Sequence, residues 1–61
     1  EAYMRLPKDP VMLLSVVNTQ LRDIYPSLEE LAKAHMVEKQ ELIDRLEAIN
    51  YSYDEAQNQF V

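Results

Sequence analysis

The sequence predicts a mainly α domain: three helices in a helix-turn-helix-like bundle, closed by a C-terminal β-hairpin, in the order of a very small winged helix. Three observations predict it. Apolar residues recur at helical spacing over three stretches between Pro10 and Asn50. Helix-start signals stand before the first two stretches, at Asp9-Pro10 and at Ser27. After Asn50 the apolar period shortens to alternation, with turn residues between two short runs.

Asp9 suits the N-cap of the first helix and Pro10 its first turn, where a missing N–H costs nothing. The helix is expected to run to about Tyr25 and stop before Pro26, which disfavours helical geometry in its predecessor. Leu13, Leu14, Val17, Leu21 and Ile24 make one broad apolar face. Met12 and Val16 form a smaller stripe off that face. Ser27 and Glu30 open the second helix as a capping box, with Leu28, Leu31 and Ala32 inward and Glu29 and Lys33 as an exposed pair. The turn falls near His35-Met36-Val37. A third helix is expected from about Lys39 to Ile49, burying Leu42, Ile43, Leu46 and Ile49 and pairing Glu41 with Arg45 on the other side. The chain has no Gly, so Asn50 is the natural left-handed stop.

Residues 51–61 form the expected hairpin. A four-residue loop pairs Tyr51 with Phe60 and places Tyr51, Tyr53 and Phe60 on one face; this register is preferred. A five-residue loop with Asn58 left-handed pairs Tyr51 with Val61 instead. Those aromatic residues either pack the hairpin on the helices or form a platform for bases or a peptide. An isolated hairpin does not persist in water, which favours packing.

One domain accounts for all 61 residues: an N-terminal arm over 1–8, three helices over 9–50 and the hairpin over 51–61. Glu1 to Tyr3 precede Met4 and are either native or an appended remnant. A chain this short buries only about 60% of its unfolded surface and sits near the limit of independent stability. Without Cys it lacks disulfides and thiolate metal sites, and one histidine, His35, makes no His-based site alone. Association with another chain is the remaining aid. No apolar run approaches a membrane span, and no signal-peptide pattern opens the chain, so a cytoplasmic protein is expected.

The helix-turn-helix pattern has supporting positions and departures. Ala32 supplies the small residue where two helices approach, Val37 the buried residue after the turn, and Leu42 a buried contact in the second helix of the motif. Met36 stands where a Gly usually makes the left-handed turn, His35 where an apolar residue is usual, and Arg45 at an expected buried position. The charge argues against reading DNA. The chain carries 11 Asp and Glu against 6 Lys and Arg, a net charge of −5. The exposed face of the third helix presents Glu38, Gln40, Asp44 and Glu47, with only Lys39 and Arg45 as cations. Phosphate affinity needs cations there. Asp54 and Glu55 make the hairpin acidic as well.

Enzymatic chemistry has little to stand on. There is no Gly-rich phosphate loop and no thiol, and the serines have only His35 as a base. No catalytic, cofactor-binding or metal-ligating residue is assigned. Glu38, Glu41, Asp44 and Glu47 recur every third residue, a pattern that a solvated helix face explains better than a hard-cation site. His35 reads as a partly buried turn residue.

Two stretches resemble a small bacterial family. They are Leu6-Pro7-Lys8-Asp9-Pro10-Val11-Met12-Leu13-Leu14-Ser15, continued by Asn18, Leu21-Arg22-Asp23, Tyr25 and Ser27-Leu28, and the ending Tyr51-Ser52-Tyr53-Asp54 with Asn58-Gln59-Phe60-Val61. The family consists of stand-alone proteins of about sixty residues classed as a domain of unknown function. The resemblance implies a bacterial cytoplasmic protein and carries over no activity, cofactor or catalytic residue. It directs attention to Asn18, Arg22 and Asp23. Arg22 or Asp23 either ties the first helix to the hairpin or the second helix, or forms a polar recognition spot beside Met12 and Val16.

The expected function is a non-enzymatic protein–protein interaction module. Met12, Val16 and Arg22 are its candidate interface, and the partner is either another protein or a second copy in a homodimer. Coverage of Met12 and Val16 by the arm Tyr3-Met4-Arg5-Leu6-Pro7 is the competing reading of that stripe. A winged-helix-type nucleic-acid-binding regulator is the alternative function.

Overall fold

A computed structural model of the chain describes residues 6–61. It contains α1 (Pro10–Asp23), α2 (Leu28–Ala34), α3 (Lys39–Glu47), β1 (Tyr53–Asp54) and β2 (Gln59–Phe60). This is the predicted order of three helices and an antiparallel hairpin. Tyr3, Met4 and Arg5 of the arm lie outside the described residues.

Helix α1 starts as its sequence dictates. Asp9 is extended and its carboxylate accepts the Met12 N–H at 3.0 Å, with Pro10 opening the first turn. The helix ends two residues earlier than expected. Ile24 has left helical geometry, and the Ile24 and Tyr25 N–H groups both donate to the Gln20 carbonyl. The restriction that Pro26 places on Tyr25 is felt one residue further back. Ile24, expected on the apolar face, is therefore 63% exposed.

Helix α2 is capped by Ser27, whose hydroxyl accepts the Glu30 N–H at 3.2 Å. The return bond of a full capping box is absent, and Glu29 and Lys33 make no ion pair; solvent serves both groups equally well. The helix closes on Met36, at φ 58°. Met36 donates its N–H to the Lys33 carbonyl and Val37 to the Ala32 carbonyl, the paired bonds of a Schellman stop. The left-handed position that a glycine usually fills is thus filled by methionine.

Helix α3 has Glu38 at its N-cap without a side-chain cap bond. It ends at Glu47, two residues short of the expected Ile49, but by the expected device. Asn50 sits at φ 67°, with its N–H on the Glu47 carbonyl and that of Tyr51 on the Leu46 carbonyl. The Glu41–Arg45 pair forms at 3.2 Å.

The hairpin register differs from both sequence expectations: Tyr53 pairs with Phe60 and Asp54 with Gln59. Asp54 ends its strand and accepts the Ala56 and Gln57 N–H groups at 3.0 and 3.4 Å, so the loop becomes Glu55–Asn58 with Asn58 at φ 54°. A shift of two residues from the preferred register preserves which side chains share a face. Tyr53 and Phe60 remain together, ring centroids 5.4 Å apart, while Tyr51 drops out of the ladder.

The core forms where the three helices and β2 meet. Leu13, Val17 and Leu21 come from α1, Leu28, Leu31 and Ala32 from α2, Leu42 and Leu46 from α3, and Phe60 from β2. Leu6, Leu14, Tyr25, Val37, Ile43, Ile49 and Tyr53 pack around them, partly buried. Phe60 is 2% exposed, so it plugs the bundle and does not belong to an open aromatic platform.

Candidate interaction surface

The polar residues near the core divide into those that hold the fold and those that face solvent. Asn18, on α1, clamps the backbone of Phe60: its amide donates to the Phe60 carbonyl at 3.1 Å and its oxygen accepts the Phe60 N–H at 2.8 Å. Asn58 donates to the Leu21 and Tyr25 carbonyls, both at 3.1 Å, satisfying the frayed end of α1. Its oxygen accepts the Tyr53 hydroxyl at 2.6 Å, and that hydroxyl accepts the Leu28 N–H at the start of α2. The hairpin is thereby tied to α1 and α2 at once. Gln20 and His35 make a second tie: Oε1 and Nε2 lie 2.8 Å apart, and the imidazole meets Tyr25 edge-on. His35 is half-buried, as read from the sequence, whereas Gln20, at 8% exposure, is a buried polar residue that the sequence reading missed. The available signal was its place among Val17 and Leu21 on the apolar face of α1.

Arg22 and Asp23 tie nothing to the hairpin or to α2. The Arg22 guanidinium donates to both Asp23 carboxylate oxygens, at 2.8 and 3.0 Å, and both side chains are exposed. The hydrogen bonds raise the Arg22 pKa and hold the Asp23 carboxyl below its ordinary value. The tie expected of these two residues belongs to Asn18.

Met12 is 61% exposed, its neighbour Val11 is 63% exposed, and Val16 is half-buried. Met12 and Val16 share one stripe of α1. Arg22 is ten residues beyond Met12, ~15 Å along the axis and about 80° around it, so these residues do not form one compact patch. The described part of the arm lies elsewhere: Leu6 and Pro7 sit against α1 and α3, beside Leu13 and Leu42. Met36, 90% exposed, stands on the α2–α3 turn, which is anchored to α1 by His35 on Gln20 and by Val37 near Leu13. The two neighbours of Met36 in the chain thus meet α1 at Gln20 and near Leu13.

Between the arm, α1 and α3 lies a half-open cavity of about 170 Å³. Its apolar walls include Leu6, Leu13, Val37 and Leu42, and Lys8, Glu41 and Arg45 supply the charges. The exposed side of α3 carries the acidic residues foreseen in the sequence, with Asp44 accepting the Gln40 amide at 3.0 Å. Among the described residues no cluster of His, Cys, Asp and Glu is arranged to hold a metal ion, and no helix is long and apolar enough to cross a membrane.

Fold and surface together define a small helix-turn-helix-like domain with an acidic second motif helix and a hairpin in the place of a wing. The chain belongs to the family described as a domain of unknown function, DUF4250, whose model matches residues 7–60. No curated protein and no solved structure matches it. The two end motifs that carried the resemblance now have structural work assigned to them. Asp9-Pro10 starts α1, and Asn18, Tyr25, Leu28, Tyr53, Asn58 and Phe60 make the ties between helices and hairpin.

Proposed function

We propose that the protein is a non-enzymatic interaction module that associates with a second copy of itself through the Met12–Val16 stripe of α1. The observation carrying this reading is the exposure of Met12 and its neighbour Val11 on α1. Large apolar side chains grouped on one flank lose water contact only if another surface covers them. Chain length supports the same reading, since a core of this size gains from an added interface. A second copy brings an identical stripe, which a two-fold axis pairs with the first. The acidic face of α3 supports a protein rather than a phosphate backbone as the partner.

Light scattering during size exclusion, with the protein at high micromolar concentration, tests the reading. The expected mass is that of a dimer, and Met12→Asp or Val16→Asp returns it to a monomer by burying an unpaired charge in the contact. A strict monomer in the parent protein overturns self-association. Unchanged association in both variants moves the interface off α1.

A further inference from the structure

We propose that the cavity between the N-terminal arm, α1 and α3 binds a small carboxylate carrying one apolar group of about six carbons. Three observations lead there. The volume of about 170 Å³ compares with the ~150 Å³ apolar cavity that accepts a benzene ring. Its walls suit that kind of group: Leu13 and Leu42 are buried, and Leu6 and Val37 half-buried.

Arg45 is the second observation. The helix-turn-helix pattern places a buried apolar side chain at this position, where it would fill the space between α3 and the rest of the body. Arginine leaves the space and puts a guanidinium beside it, with the side chain 40% exposed. A local rule broken on a cavity wall, with no gain to the core, is the mark of a functional position. Among the described residues the guanidinium donates only to Glu41 at 3.2 Å and to the Lys8 carbonyl at 3.5 Å, the latter at the outer limit of a hydrogen bond. An arginine has five N–H donors in a planar fork that matches a carboxylate.

Charge is the third. The whole chain is acidic, yet the cavity is lined by two cations, Lys8 and Arg45, against the single carboxylate of Glu41. The local sign is reversed, so an anion is favoured where the rest of the surface repels one. Glu41 competes for the same guanidinium and sets how tightly an incoming carboxylate is held.

Amide NMR titration of the full chain with sodium benzoate tests the proposal, with benzyl alcohol as the neutral control of similar shape. Saturable shifts centred on Leu13, Val37, Leu42 and Arg45 are expected with benzoate, and binding about tenfold weaker with benzyl alcohol, the loss of one charge-assisted pair. Arg45→Gln should weaken benzoate by a similar factor. Glu41→Gln, at an exposed position, should tighten it severalfold by releasing the fork. Absent or non-saturating shifts with benzoate overturn the proposal, as does equal binding of the two probes. Should Arg45→Gln fail to fold, the comparison of probes and the Glu41→Gln gain decide the matter.

Discussion

Asn18 is the residue on which the hairpin depends most. Its amide satisfies both backbone groups of Phe60, the residue that plugs the core. Asn18→Ala leaves a partly buried N–H and C=O unpaired, at about 1–3 kcal/mol for each group that water cannot reach. A melting temperature lower by ~10 °C is expected from circular dichroism, since about 1 kcal/mol shifts a domain of this size by 4–8 °C. Arg22 and Asp23 are the contrasting case. The Asp23 carboxyl is held below its ordinary value by the Arg22 hydrogen bonds, so any contribution to stability is full above the unfolded-state value. It is lost as the pH falls through the lower, folded-state value. Both side chains are exposed, and solvent screens the pair. Arg22→Ala should therefore melt within about a degree of the parent protein at neutral pH, and even that small difference should vanish as the pH falls through the Asp23 range.

Among the elements, the stop of α2 shows a local cost. Met36 takes a left-handed conformation that costs an ordinary residue roughly 1–2 kcal/mol, and it is 90% exposed. Neither the backbone nor the solvent favours methionine there. Met36→Gly keeps the Schellman bonds and relieves the Cβ clash, so thermal melts should show a gain of several degrees, corresponding to about 1 kcal/mol. An unchanged or lower melting temperature would mean that the side chain is covered, by its own chain or by the proposed second copy. Helix α3 ends at the same kind of stop, but on Asn50, whose short amide tolerates the conformation better. The two stops have the same bonds and unequal occupants, which makes Met36 the exceptional one.

The whole molecule divides its tasks between faces. The Asn18, Asn58 and Tyr53 ties secure the hairpin side of α1, and the Gln20–His35 bond secures the turn side. The acidic outer surface of α3 stands where a DNA-reading helix needs cations or amides. The remaining apolar exposure includes Val11 and Met12 on α1 and Met36 on the turn. The proposed dimer contact on α1 and the proposed carboxylate site beside Arg45 use different surfaces, and their experiments separate them. Met12→Asp should abolish the dimer and leave benzoate shifts at Arg45 intact. Arg45→Gln should do the reverse.

The sequence by itself determined the helix starts at Asp9 and Ser27, the left-handed stop at Asn50, and most of the core. Each depends on neighbours within one or two turns: a cap and the N–H it accepts, or apolar residues three and four apart. It also determined the acidity of α3, which composition carries unaided. Tertiary structure decided the rest through contacts made far along the chain. The hairpin register was set by Asn18 capturing Phe60 from 42 positions away, and by Asn58 closing the end of α1. No local pattern distinguishes those bonds from the two registers the alternation allowed. The early exit of Ile24, the burial of Gln20 against His35 and the cavity beside Arg45 likewise exist only once α1, α2, α3 and the arm are packed together. A polar side chain on an apolar face, or a cation at a buried position, marks such a place in the sequence; only the folded chain supplies the group it meets.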